Sequence, residues 1–249
     1  MIYAFLSPGP NYGLVIAAGS IGKLGTFGSV ENFPRNNLCN IPDLPEPGRQ
    51  RHTLSILKPE GGSTLLVCGG KGQMGSGQPA VNADTCLSWQ KGESNWSTYA
   101  TLDPPRVGHS AVSFGDRLLL VGGKESPKTG VELPGGREFS LNFAVEDACL
   151  IPQTDSFIVT GGKVGGQKYV EKYSSTGEFI EDLPSLKIGR LGHACGTFED
   201  RDGRAVLLIT GGYGPYGQPS PNGLNSTELL RSDSDGKWTS WATGEQQSK

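Results

Sequence analysis

The chain has 249 residues, 38 of them Gly and 17 Pro, with 22 Lys and Arg against 25 Asp and Glu for a formal net charge of -3. That balance leaves no basic footprint for nucleic acid, no run of eighteen apolar residues offers a membrane span, and the Gly and Pro content speaks for turns rather than long helices. A single closed all-β domain of this length is ordinary.

The N-terminus, MIYAFLSPGPNYG, has neither a basic start nor a long apolar core, so it reads as a first hairpin rather than a secretory leader. Its strands are Tyr3 to Leu6 and Leu14 to Ala18, followed by Ala18-Gly19 and a strand with Glu31, in a repeat over 2–45. The second repeat, 49–103, opens on Arg49-x-x-His52 and runs through LLVCGG into Gly69-Gly70. It carries the long insert KGQMGSGQPAVNA and ends in a strand with Trp96. The third, 106–142, has Arg106-x-x-His109, LLLVGG, Glu132, a turn at Gly135-Gly136 and Phe139. The fourth, 144–186, lacks Arg-x-x-His, with Asp147 taken to hold the His register, and continues through FIVTGG, Glu171, Phe179 and Leu183-Pro184. The fifth, 190–242, has Arg190-x-x-His193, an Asp202-Gly203 hairpin turn, LLITGG, Glu228 and Trp238.

From Gly19 to Gly70, Gly123, Gly162 and Gly212 the steps are 51, 53, 39 and 50 residues, the period of a repeat array. Each repeat reads as four antiparallel strands that cannot bury both faces alone, so neighbours must stack on it. Four-stranded units of this kind build a β-propeller. Jointly, Arg-x-x-His, Gly-Gly, the Glu strand and the Trp or Leu-Pro end resemble kelch repeats, over nearly the whole chain. The succession LVCGG, TCLSW, DACLI, HAC and STE is similar to kelch-type propellers from invertebrates that often carry secretion signals. The resemblance implies six or seven blades where five are legible. A chain lacking a sixth blade is the favoured reading and a five-bladed ring the alternative. An open ring would expose apolar faces and invite self-association.

Cys68 and Cys86 depart from the repeat within one unit, on neighbouring strands, and are expected to form a disulfide; two buried thiols are the alternative. Cys149 and Cys195 share one sequence register in successive first strands, point the same way, and are expected as free buried thiols. Cys39 is left over. A disulfide implies an oxidising compartment, and Asn95-Trp-Ser and Asn225-Ser-Thr are glycosylation acceptor patterns, so an extracellular setting is favoured although no leader is legible.

No catalytic constellation emerges. Gly70-Lys-Gly72-Gln-Met-Gly75 and Gly212-Tyr-Gly214-Pro-Tyr-Gly217 match a dinucleotide fingerprint, but prolines follow in place of the helix that would hold phosphates. His52, His109 and His193, the only His, sit at one register and are expected to satisfy buried polar groups. That leaves no spare ligands for the copper site of the one familiar oxidase with a kelch propeller, and no base for a Ser or Cys nucleophile. Asp200-Arg-Asp-Gly and Asp233-Ser-Asp-Gly read as turns rather than calcium loops. Glu31, Glu132, Glu171 and Glu228 read as internal acceptors for the repeat Arg. Trp96, Trp238 and Trp241 read as outer-strand packing, and Trp89 as a cover for the disulfide. Function then falls to the variable loops after each Gly-Gly, where Gln73, Met74, Tyr213, Tyr216 and Gln218 offer contacts. The expectation is a noncatalytic binding scaffold for a protein partner, without cofactor or metal; the alternative is a carbohydrate-binding or carbohydrate-processing propeller.

Overall fold

The computed structural model describes residues 14–20, 26–33, 41–45, 47–59, 62–72, 78–162, 168–214, 223–233 and 235–243, with side chains for those from 41 to 241. Tyr3 to Leu6, Cys39, Gln73, Met74, Tyr216, Gln218 and the side chain of Glu31 lie outside this set. Strands joined by turns and irregular segments account for the described residues, and none is helical.

The first repeat contributes one antiparallel pair, β1 (Leu14–Ser20) and β2 (Thr26–Phe33), in register from Leu14 opposite Phe33, with an irregularity between Ala17 and Gly19. Four sheets of four antiparallel strands follow. Sheet two comprises β3 (Thr53–Leu57), β4 (Thr64–Cys68), β7 (Thr85–Gln90) and β8 (Ser97–Thr101). The short strands β5 (Lys71–Gly72) and β6 (Val81–Asn82) pair separately as a ribbon. Sheet three is β9 (Ser110–Phe114), β10 (Arg117–Val121), β11 (Thr129–Leu133) and β12 (Arg137–Ser140). Sheet four is β13 (Cys149–Pro152), β14 (Ser156–Thr160), β15 (Val170–Ser174) and β16 (Phe179–Asp182). Sheet five is β17 (Ala194–Glu199), β18 (Ala205–Thr210), β19 (Thr227–Ser232) and β20 (Trp238–Thr243). Within each sheet the strands lie in sequence order, as a meander with tight hairpins requires, and repeated sheets of this kind fit a β-propeller-like fold.

The chain divides into two compact units, one of residues 1–126 with 131–138 and one of 127–130 with 139–249. In the first, Leu66, Cys68 and Cys86 of sheet two pack against Leu118 and Leu120 of sheet three, while Leu65, Val67 and Trp89 on the opposite face pack with Leu44 and Trp96. In the second, Ile151, Ile158 and Val170 of sheet four pack against Leu207, Ile209 and Leu230 of sheet five. Second strands are therefore buried throughout: every residue of β4 and β14 is buried, because each strand faces packing on both sides.

Cys68 stands directly opposite Cys86 across the β4–β7 ladder, and the two are bonded. Trp89 does not cover this bond. It lies opposite Leu65, three residues from Cys86 and hence on the other face of the strand, where its indole donates to the Glu93 carbonyl at 2.9 Å.

Cys149 and Cys195 are also bonded, against the expectation of free thiols. The expectation failed on register. Thr53, Ser110 and Ala194 stand opposite the residue before Gly-Gly in their sheets, and in sheet four that place belongs to Cys149, opposite Thr160. Left-handed backbone marks the same slip: Arg51, Gly108 and Gly192, each one residue before a His, have φ of 56°, 67° and 59°, and Asp147 matches them at 55°. Asp147 thus occupies the place of the residue before His, and Ala148 holds the His register. Cys149 corresponds to Ala194, one residue short of Cys195, and a one-residue shift in a strand turns the side chain to the opposite face. The two sulfurs consequently meet in the space between sheets four and five.

Candidate functional site

The repeat motif forms a junction between successive sheets. The amide of Gly70 donates to the Arg106 carbonyl at 2.8 Å, and the amide of Gly162 to the Arg190 carbonyl at 2.9 Å. A Cβ on Gly69 would stand 2.4 Å from that Arg106 oxygen and 2.7 Å from His109 Cε1. On Gly161 it would stand 2.5 Å from Arg190 O and 2.7 Å from His193 Cε1. The first glycine thus makes room for the next repeat's Arg carbonyl and His ring. His109 Nε2 lies 3.0 Å from the Thr53 hydroxyl and His193 Nε2 lies 2.8 Å from that of Thr160, so each ring is committed to the sheet before it. Burial, with the neighbouring Arg106 and His52 charges, takes His109 down to about 3, and burial with Arg190 does the same to His193.

The Arg side chains turn back into their own repeats. Arg49 Nη1 donates to Thr85 O and its Nη2 to Thr85 Oγ1, both at 2.7 Å; Arg106 Nη1 donates to Gly122 O at 2.8 Å; Arg190 Nη1 donates to Gly211 O at 2.9 Å. Among the described residues, it is in sheet five that the repeat Glu receives the repeat Arg: Arg190 Nη2 and Glu228 Oε1 are 2.8 Å apart, both side chains fully buried, and Glu228 also accepts from the Lys187 and Ile188 amides. Glu132 binds Arg117 and Arg137 instead, at 3.2 and 2.6 Å. Burial works against its charged form, but these two guanidiniums outweigh it and hold its carboxyl below the usual range. Glu171, whose repeat has no Arg, accepts from the Tyr173 hydroxyl and from Asn142 Nδ2, and burial raises its carboxyl nonetheless.

The two aspartate turns hold their own backbones. Asp200 Oδ1 accepts from the Asp202 and Arg204 amides, and Asp233 Oδ1 from those of Asp235 and Lys237. Trp96 is buried and Trp238 packs on the sheet-five core, but Trp241 is 54% exposed. Three residues apart on β20, the two tryptophans of sheet five face opposite sides. Asn95 and Asn225 are exposed.

The insert after Gly70 builds a concave feature against sheet two. Its first residues enter the β5–β6 ribbon rather than a helix, Gln50 and Lys71 exchange backbone hydrogen bonds at 2.9 Å, and the Ala83 amide returns to the Gly70 carbonyl at 2.8 Å. Gly72 passes so close to Pro47 and the Gly48 carbonyl that a Cβ would stand 2.7 Å from each. Between ribbon and sheet two lies a cleft of about 600 Å3. Pro45, Pro47, Pro79 and Val81 give it apolar walls, Trp96 and Leu87 its floor, and Gln78, Asn82 and Asp84 its polar rim. Val81 is 62% exposed, whereas the Trp96 indole is committed to the Pro42 carbonyl at 2.8 Å. Arg49 lines the cleft with its guanidinium already engaged by Thr85; burial lowers its pKa and Asp84 acts in the opposite sense. Sequence reasoning singled out the insert but not Val81, Asn82 or Asp84, which the ribbon pairing brings to the cleft. Of the expected contact residues, Tyr213 is described and is 43% exposed, and its backbone bridges to Leu191.

No family model matches this chain, and neither does any curated protein. Among solved structures it is similar to one titled "Structure of YjhT", at 14% identity with a TM-score of 0.63, over 91% of this chain and 79% of that one. At that identity the likeness speaks to the fold alone: repeated antiparallel sheets in a β-propeller-like arrangement.

Proposed function

We propose that this protein is a noncatalytic binding scaffold built of kelch-type propeller repeats, and that it engages a protein partner as an extended segment at the cleft beside β5–β6. The cleft is the observation that carries this reading. Its size suits a few side chains, its proline and valine walls suit an apolar or proline-containing segment, and Asp84 on the rim adds a place for a basic residue. His109 and His193 are engaged between successive sheets and the buried arginines within their own repeats, which favours surfaces rather than a reactive centre as the source of function. A sugar site would want an exposed ring for stacking, and Trp96 offers only 8% of its surface, so a peptide fits better than a glycan.

The test is selection of random peptides on phage against the full chain, with counter-selection on a Val81→Asp variant. Peptides retained by the parent and lost on the variant, with apolar or proline positions beside a Lys or Arg, support the reading. Absence of enrichment, or enrichment insensitive to Val81, refutes it. Binding confined to a glycan array would transfer the site to the carbohydrate alternative.

A further inference from the structure

Sheet five has two faces, and the ladder pairs assign them. Cys195, Ile209, Glu228 and Leu230 lie on the face that packs against sheet four. Ala194, Phe198, Leu208, Thr210, Leu229 and Trp241 lie on the other. In sheets two and four the corresponding face is the one on which the next sheet packs. Leu66 and Ile158, two residues before the residue that precedes Gly-Gly, are both 0% exposed there, as are Cys68 and Thr160 beside the glycines. Their counterparts in sheet five, Leu208 and Thr210, are half-buried, and Phe198 and Trp241 on the same face are 45% and 54% exposed. The face carries the pattern of a packing surface with much of its apolar area open to solvent.

Charge decides what fits it. Within the strands of this face the ionisable side chain is Arg231, which lies over the Trp241 ring at 5.0 Å from the centroid, and at the hairpin end of the same face Asp200 is close enough to feel its charge. Two such faces related by a two-fold axis bring a guanidinium and a carboxylate of opposite sign from each copy around the exposed aromatic rings, so the surface is complementary to itself. We propose that the outward face of sheet five is a self-association surface, which docks on the same face of a second copy of this chain in an isologous, sheet-on-sheet contact.

Sedimentation velocity on the full, oxidised chain from about 1 to 100 μM tests this, because a contact of this kind belongs in that range or below it. The expected result is a dimer that Phe198→Glu weakens about thirtyfold or more, the effect of losing an interface anchor. Thr239→Glu, at an exposed position of the same face, should weaken it as well, and covers the case in which Phe198→Glu disturbs folding. Phe179→Glu is the matched control, since Phe179 is also 45% exposed but lies on the outer strand of sheet four. A monomer at every concentration, or a dimer as sensitive to Phe179→Glu as to the face variants, overturns the proposal.

Discussion

Two buried imidazoles should make this protein sensitive to mild acid. His109 and His193 have ordinary values near 6.5 when unfolded and about 3 when folded, because each ring is buried beside a buried Arg. A depressed folded pKa gives stability that is full above about pH 6.5 and is lost as pH falls towards 3, since the unfolded chain takes up a proton that the folded one refuses. Between pH 7 and pH 5 the unfolded imidazole gains about 2 kcal/mol from protonation, so the pair costs the folded state about 4 kcal/mol, much of a typical domain's stability. Urea unfolding followed by tryptophan fluorescence at the two pH values measures this, and His193→Gln should reduce the pH-dependent loss by about 2 kcal/mol. Because the comparison is between variants, the opposite-signed contribution of Glu171, whose carboxyl is raised by burial, cancels. With only three His in the chain, their ring protons can be followed directly by NMR. A His193 resonance that titrates near pH 6.5 in the folded protein, or a variant with an unchanged pH dependence, would refute the reasoning.

Gly161→Ala should cost about 3 kcal/mol or more by denaturant titration, since its Cβ meets the Arg190 carbonyl and the His193 ring at positive φ; Gly203→Ala, with positive φ but no atom within 4 Å, should cost only about 1. Glu228→Ala removes one partner of a fully buried ion pair and should destabilise by about 3–5 kcal/mol, whereas Glu132→Ala, facing the half-exposed Arg117 and Arg137, should cost about 1 or less. From loop length, Cys86→Ser should lose about 3 kcal/mol and Cys195→Ser about 4, for separations of 18 and 46 residues. Alkylation of the unfolded, unreduced protein followed by peptide mapping should leave Cys68, Cys86, Cys149 and Cys195 unlabelled; labelling at any of the four would contradict the pairing.

The sheets were legible because each repeats the same local instructions: an apolar run ending in Gly-Gly, then a strand with Glu, then an aromatic. The expected repeat 49–103 contains sheet two, and the other three sheets fall as closely on their repeats. Cys68 and Cys86 were legible for the same reason, since adjacent strands of one repeat have a fixed register. Cys149 and Cys195 were misjudged because Asp147 mimics a glycine's left-handed backbone, which composition does not announce. Aligning the fourth repeat from Thr160 back across its hairpin, rather than forward from Asp147, would have found the slip. The cleft was hidden for another reason: ribbon pairing between Lys71–Gly72 and Val81–Asn82 is long-range and follows no repeat.

The rungs that hold the two cystines also order the making of the protein. In sheet two the rung next to Gly-Gly has Thr53 on the first strand and Cys68 on the second; in sheet four the places are exchanged, with Cys149 first and Thr160 second. On the second strand the sulfur reaches its own repeat, and on the first it reaches the next one. A chain emerging from a ribosome can therefore complete Cys68–Cys86 as soon as the second repeat is out, while Cys149 waits as a thiol for a partner 46 residues later. At usual rates of synthesis that wait lasts several seconds, long enough for thiol exchange. Complete burial of Cys68 and Cys86 under sheet three keeps the finished pair out of reach during the interval, so early packing of sheet three on sheet two safeguards the later cross-link.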